Sequence, residues 1–308
     1  MSALVVEAVV PAHVEARFHE ADGKRYPLDH TVRALCFVDD DRVLCGSDDH
    51  TCSLWSLTGP RRLQVFQAKT HDVKCVAVSS DGARVAAGHG SWGGVKLWDL
   101  HTGALVHELD DSIMYVGAVG FVAGTRGQPP LLLCAVKGAH VWSWNAATGD
   151  VVKEPDDADG RSTPVAVSAD GTALRATKAT ATLHRLPGLK KTAELSALPH
   201  DVQLVALSTD GSRAAAADDD GAVRSWSTSD ASVVVDVDGG GGFEASACAL
   251  AVQGDRVAFT DNDRTLHVVT ARGRRSLPVG RAGSLAFSGD GERLAVGGVD
   301  GNVRIVRL

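Results

Sequence analysis

The sequence predicts an all-β protein built as a closed ring of seven similar sheets, each with four antiparallel strands. Three observations support this fold class: an apolar segment that recurs, a tight-turn signal that follows each copy, and an independent series of mostly aromatic positions. Seven copies in 308 residues give about 44 residues per copy, which suits one blade of a propeller. Stacking such sheets around an axis leaves only short exposed edges.

The first strand of each blade is predicted from a segment that reads apolar, any, small, apolar, any, apolar, as in residues 73–78 and 202–207. Alternating apolar positions of this kind indicate β-strands. The fourth position marks seven copies: Leu35, Val76, Val119, Val165, Val205, Leu250 and Leu285. We therefore expect one domain over residues 1–308, with blades that begin near residues 31, 72, 115, 163, 202, 246 and 282.

Turns and a third strand follow each first strand. Asp-Gly pairs, as in residues 80–82 and 209–211, supply the positive φ angles of a tight hairpin. The predicted third strands carry an aromatic residue or its substitute at these positions: Trp55, Trp98, Trp144, Arg185, Trp226, Val269 and Val306. A fourth strand after a short turn completes each blade.

The last blade lacks a fourth strand of its own, because the chain ends with the predicted third strand at residues 302–307. The N-terminal residues 1–28 are the remaining strand-forming material, so we expect them to close the ring. Either residues 4–10, or residues 14–19 together with 25–28, could pair with the C-terminal blade.

Composition limits the classes of partner. The 31 basic and 38 acidic residues give a net charge of −7, which disfavours nucleic acid as a partner. No apolar run reaches the ~18 residues of a membrane span, and the N-terminus lacks the basic start of a signal peptide. Six cysteines lie in apolar segments without metal-ligand spacing, which predicts a reducing, cytoplasmic location: Cys36, Cys45, Cys52, Cys75, Cys134 and Cys248.

The segment at residues 95–99, Val-Lys-Leu-Trp-Asp, resembles the WD40-repeat family. Looser copies at residues 54–56 and 143–145, and repeats that start with His30, His71 and His200, extend the resemblance over nearly the whole chain. The resemblance implies a seven-bladed β-propeller that acts as an interaction scaffold.

The resemblance also implies a structural network in which a His, a Ser or Thr, an Asp and the Trp of one blade share hydrogen bonds. In blade one the matching residues are His30, Ser47, Asp49 and Trp55. In blade five they are His200, Asp220 and Trp226.

We expect no enzymatic activity, because the chain has no nucleophile elbow, P-loop, dinucleotide glycine motif, HExxH helix or EF-hand loop. No catalytic residue, cofactor or metal is predicted. The alternative is a small-molecule binder or metal-dependent enzyme that uses the axial pocket, with residues 218–220 holding a divalent cation.

The leading hypothesis is a scaffold or adaptor, either a monomer or a subunit of a larger complex, that binds a basic or amphipathic protein segment. Aspartates predominate in the turns that precede third strands and join blades, and these turns share one face. Ordinary solvation of polar turns is the competing interpretation. Trp92, in a glycine-rich turn, and Tyr115 would anchor the partner. The predicted partner-binding residues are Trp92, Tyr115, Asp48, Asp110, Asp111, Asp156, Asp157, Asp218 and Asp219.

Overall fold

The computed structural model describes most of the chain. The residues outside the description are 1–2, 14–17, 22–23, 68–71, 91–93, 110–115, 124–130, 137–140, 154–163, 187–189, 240–248 and 263. Within strands, the side chains of residues 18–21, 24–27, 133, 135–136, 141 and 152–153 are also outside it.

The chain forms seven four-stranded antiparallel blades, so the predicted fold class is confirmed. Blade one contains β4 (Val32–Phe37), β5 (Arg42–Ser47), β6 (Thr51–Ser56) and β7 (Arg61–Gln67). Blade two contains β8 (Val73–Val78), β9 (Arg84–His89), β10 (Val95–Asp99) and β11 (Leu105–Leu109). Blade three contains β12 (Val116–Val122), β13 (Leu131–Val136), β14 (Val141–Asn145) and β15 (Val151–Lys153).

The remaining blades repeat this order. Blade four contains β16 (Val165–Val167), β17 (Thr172–Thr177), β18 (Thr180–Arg185) and β19 (Lys190–Glu194). Blade five contains β20 (Val202–Leu207), β21 (Arg213–Asp218), β22 (Val223–Ser227) and β23 (Val233–Val237). Blade six contains β24 (Ala249–Gln253), β25 (Arg256–Thr260), β26 (Thr265–Thr270) and β27 (Gly273–Pro278).

The N-terminal strand closes the ring. Blade seven contains β28 (Ala282–Phe287), β29 (Arg293–Gly298) and β30 (Val303–Arg307), and β1 (Val5–Val10) pairs antiparallel with β30 as the fourth strand. This pairing confirms closure and decides between the two N-terminal candidates. A separate hairpin, β2 (Phe18–Ala21) with β3 (Lys24–Pro27), lies between β1 and blade one in the chain.

Hairpins between first and second strands define what we call the lower face. In blade two, the Ser79 hydroxyl donates to Asp81 at 2.5 Å and accepts the Arg84 amide at 2.9 Å. Gly82 has φ +67°, which a residue with a Cβ adopts at a cost. The serine–aspartate bond recurs in blades four, five and seven, so local sequence sets these turns.

Neighbouring blades approach closely near the opposite, upper face, which carries the turns between second and third strands and the connections between blades. A Cβ added to Gly88 would meet Val116 of the next blade, and one added to Gly297 would lie 2.8 Å from Val32 Cγ1. The absence of a side chain at these positions lets sheet pack on sheet.

The core lies between blades. Six clusters of nine to eleven buried apolar residues occupy the described interfaces, while the cluster between blades three and four has only Ala173 and Leu186 fully buried. Among the described residues, the interface between blades three and four therefore has the smallest buried apolar cluster.

The strand register corrects one sequence prediction. Val43 lies opposite Trp55 in blade one, and the equivalent Ala173 in blade four lies opposite His184, not Arg185. His184 therefore takes the tryptophan position, and the residue is only 6% exposed. The prediction failed by one residue because blade four has no tryptophan from which to count.

Candidate functional site

Asp49 holds a buried network at the upper face of blade one. Asp49 is only 3% exposed, and its Oδ2 lies 3.0 Å from His13 Nδ1. Its Oδ1 accepts the amide and hydroxyl of Thr51 at 3.0 and 2.6 Å. His13 Nε2 lies 3.1 Å from Ser53 Oγ, which accepts the Trp55 indole N–H at 2.9 Å. This chain of bonds joins the closing N-terminal segment to blade one.

The histidine of this network is His13, whereas sequence analysis assigned His30. His30 Nδ1 is buried and has no hydrogen-bond partner within the described ranges. Ser47 also differs from expectation, since its hydroxyl accepts the Asp49 amide at 3.1 Å and does not link the rings. His13 follows β1, and the β2–β3 hairpin lies between it and blade one in the sequence. His30 is adjacent to blade one in the sequence, and it was therefore predicted in place of His13.

The carboxyl of Asp49 remains ionised despite its burial. Burial raises its pKa, but hydrogen bonds from His13 and Thr51 outweigh this effect and hold the pKa below its ordinary value. Asp49 is therefore a structural acid and is not available to a partner.

Blade five does not form the predicted network. His200 Nε2 lies 3.7 Å from Asp220 Oδ2, but the Trp226 indole N–H donates to Ser196 Oγ at 2.8 Å. The His200–Asp220 contact and the Trp226 indole thus involve different partners. Asp218 is 1% exposed, and it accepts the amides of the turn that follows, so it stabilises this turn.

The acids of blades one and two are paired with cations. Arg33 Nε donates to Asp48 at 2.6 Å, and Lys74 Nζ lies 2.9 Å from both Asp48 and Asp72. Asp48 is only 9% exposed. Much of the negative charge predicted here is therefore neutralised within the protein, and Lys74 joins the two blades.

Aspartates exceed cations on the upper face of blade five. Asp201, Asp219 and Asp238 are exposed, and the Asp220 side chain is 35% exposed. The Asp219 amide donates to the Asp201 carbonyl at 3.1 Å, which brings two turns together. Lys178 lies in the adjacent turn of blade four and adds one positive charge. Its backbone carbonyl accepts the amide of Val202, the first residue of β20.

Blade six contains a buried histidine that sequence analysis did not single out. His267 Nε2 lies 2.6 Å from Asp261 Oδ2, and its Nδ1 accepts Arg274 Nε at 3.0 Å and contacts Ser276 Oγ at 2.8 Å. An Asp six residues before a third-strand His was the available signal. Asp263, which precedes Val269 by the same six residues that separate Asp49 from Trp55, lies outside the described residues.

Several predicted site residues also lie outside the described residues. These are Trp92, Tyr115, Asp110, Asp111, Asp156 and Asp157. Of the nine predicted partner-binding residues, the description covers Asp48, Asp218 and Asp219, and of these Asp219 is exposed.

The comparisons agree with the geometry. The family model described as WD domain, G-beta repeat, matches residues 25–56, 60–99 and 280–306. They cover the first three strands of blade one, then its fourth strand together with the first three strands of blade two, and finally β28–β30 of blade seven. The chain therefore contains WD40 repeats at three positions and folds as a seven-bladed β-propeller, as its resemblance predicted. WD40 propellers are generally protein-interaction scaffolds and are typically not enzymes.

A relative in the curated set is apoptotic protease-activating factor 1 of Rattus norvegicus. It is 27% identical over 107 residues, which cover 34% of this chain. The match spans only 8% of that relative's length, so the similarity concerns a part of it.

Three further properties bear on the other predictions. Cys36, Cys45, Cys52, Cys75 and Cys134 form no disulfide with one another, and Cys248 is outside the description. No described segment forms a helix long and apolar enough to cross a membrane. Among the residues with known placement, no group of three or more His, Cys, Asp or Glu side chains is arranged to hold a metal ion.

Proposed function

We propose that this propeller is a non-catalytic interaction module whose upper face binds a basic, extended segment of a protein partner. The excess of exposed aspartates on blade five is the observation that carries this proposal. The surface is defined by Asp201, Asp219, Asp220 and Asp238.

Electrostatics supports this location. Clustered like charges attract an oppositely charged partner over a Debye length of about 8 Å at physiological salt. Asp48 and Asp72 contribute little to such a field because Arg33 and Lys74 neutralise them. Exposure also favours blade five, because Asp201, Asp219 and Asp238 are exposed whereas Asp48 is buried.

Aromatic anchors would supply the affinity that surface charge alone does not. Trp92 and Tyr115 remain the proposed anchors, and Asp110, Asp111 and residues 156–157 remain proposed contacts on the same face. Similarity to a factor named for activating a protease also favours a role exercised through contact with another protein.

The test uses a fluorescently labelled peptide of about twelve residues, half of them Lys or Arg, and measures binding by anisotropy. Asp219→Lys should weaken binding at least tenfold, because it reverses one charge at the centre of the surface. Raising NaCl from 50 to 300 mM should weaken wild-type binding in the same direction.

Asp255→Lys is the matched control, since Asp255 is an exposed aspartate in a lower-face turn. It makes the same change in net charge on the opposite face. Equal losses from both variants would show that the peptide responds to net charge alone and would contradict the proposed surface.

A further inference from the structure

Ser276, His267 and Asp261 of blade six form a continuous chain of contacts from the outer strand to the upper face. Ser276 lies on β27, directly opposite His267 on β26. Ser276 Oγ lies 2.8 Å from His267 Nδ1, and His267 Nε2 lies 2.6 Å from Asp261 Oδ2. A hydroxyl, an imidazole and a carboxylate bonded in this order are the parts of an activated serine nucleophile, which is recognised by geometry and not by position in a sequence.

Burial differs among these three side chains. His267 is only 5% exposed, and the Asp261 side chain is 15% exposed. Ser276, in contrast, is exposed on the outer edge strand of its sheet. The base and the acid are thus fixed inside the blade, while a molecule from solvent can approach the serine.

Further contacts hold the imidazole and the carboxylate in place. Asp261 Oδ1 accepts the Thr265 amide at 3.0 Å, and this bond directs Oδ2 at the histidine. The Phe259 ring packs against the His267 ring, with 5.0 Å between the centroids. Side chains held in this way need little reorganisation before a proton is transferred.

Arg274 determines which nitrogen of His267 carries the proton. Arg274 Nε is always protonated and donates to His267 Nδ1 at 3.0 Å, so Nδ1 presents its lone pair. The proton of the neutral ring is then on Nε2, which donates it to the Asp261 carboxylate. The Ser276 hydroxyl is therefore the donor in its contact with Nδ1. In this state a histidine acts as a general base toward a serine.

We propose that Ser276 is a nucleophilic modification site that takes an acyl group from an activated carboxylic ester. Its Oγ attacks the carbonyl carbon and forms the new C–O bond, while the hydroxyl proton passes to His267 Nδ1. The bond between the carbonyl carbon and the leaving oxygen then breaks, and the leaving oxygen takes the proton from Nδ1. The products are an O-acylated serine and the free alcohol, so no oxidant or reductant is required.

The charges around His267 favour this step. The Asp261 carboxylate stabilises the imidazolium that forms during the transfer. Arg274 is exposed, so its guanidinium moves off Nδ1 as the proton arrives and then stabilises the negative carbonyl oxygen. The reaction occurs once per chain at the outer edge of blade six. It is therefore compatible with a non-catalytic interaction module and does not depend on the aspartate surface of blade five.

The experiment incubates the full chain with a fluorophosphonate at pH 7.5 and maps the labelled residues by peptide mass spectrometry at successive times. The serine oxygen attacks phosphorus in place of the carbonyl carbon, fluoride leaves, and the product is stable. Ser232 is the internal control, because it is an exposed serine beside the outer strand of blade five whose hydroxyl donates to Asp230 at 2.7 Å. Ser276 should be labelled about a hundredfold faster than Ser232.

Asp261→Asn tests the carboxylate as a positioning residue. With the asparagine oxygen still on the Thr265 amide, the NH₂ group faces His267 Nε2, which favours the ring with its proton on Nδ1 and so removes the base. Labelling of Ser276 should fall about a hundredfold, and that of Ser232 should not change. The wild-type rate should level off above about pH 7.5, once the histidine has lost its proton, whereas the variant's rate should keep rising with hydroxide.

The acyl class is tested with p-nitrophenyl acetate, by the initial rate at which p-nitrophenolate is released. Ser276→Ala removes only an exposed hydroxyl and should lower this rate about tenfold, whereas the matched Ser232→Ala should leave it unchanged. Labelling of Ser276 no faster than that of Ser232 would overturn the proposal. So would a release rate that is the same in the wild type and in Ser276→Ala, and the three residues would then serve only to hold β26 against β27.

Discussion

Replacing His13 tests whether the closing segment is bonded to blade one through Asp49. His13→Ala removes the ring whose two nitrogens lie 3.0 Å from Asp49 Oδ2 and 3.1 Å from Ser53 Oγ. Asp49 keeps its two bonds from Thr51, so its carboxylate is only partly orphaned. Each buried group left without a partner costs about 1–3 kcal/mol. We therefore expect a loss of about 2–4 kcal/mol in the free energy of unfolding.

The size of this effect makes it measurable. Unfolding entropy near 60 °C is about 2.1 cal/mol/K per residue, so 1 kcal/mol corresponds to about 1.5 °C for a chain of this length. The melting temperature of His13→Ala should fall by about 3–6 °C in calorimetry. Urea denaturation followed by Trp fluorescence gives an independent value.

His30→Ala is the matched control, because His30 is the ring that sequence adjacency favoured. Its Nδ1 makes no hydrogen bond within the described ranges, so its loss should cost under about 1 kcal/mol. If His30→Ala proves as damaging as His13→Ala, or more so, the assignment of the network to His13 is refuted.

Three other outcomes follow from packing and ionisation. Gly297→Ala should cost about 1–3 kcal/mol in urea denaturation, because its Cβ would meet Ser284 Oγ in its own blade and lie 2.8 Å from Val32 Cγ1 of blade one. Gly289→Ala, with nothing within 4 Å, should have no such cost. Equal costs for the two variants would contradict close packing around Gly297. Burial raises the pKa of Cys75 to about 12, so iodoacetamide at pH 8 should leave this thiol unmodified in the native protein and alkylate it in urea, as peptide mass spectrometry will show. Burial opposes ionisation of Asp300, but hydrogen bonds from Arg304 and Asn302 lower its pKa to about 2. The stabilising effect of the Asp300 carboxylate is therefore complete above about pH 4 and is lost as the pH falls toward 2. The acid-unfolding curve of Asp300→Asn should be flatter over this window, and an unchanged slope would count against the ion pair.

Local sequence was sufficient to predict the number of blades, their strands and the closure by the N-terminus. Alternating apolar positions and Asp-Gly turns act within one hairpin, and seven copies of the same pattern reinforce one another. The repeated fourth position illustrates this, since all seven members pair with the same column of second-strand residues. The position of His184 could not be predicted in this way, because blade four has no tryptophan from which the position on the third strand can be counted.

The path of the chain decided which distant side chains meet. His13 reaches Asp49 across 36 positions, and Lys74 reaches Asp48 across 26, and no local pattern encodes either contact. Sequence could count the aspartates of the upper face, but only the fold shows that Asp48 is buried and paired with Arg33 and Lys74, whereas Asp219 is exposed.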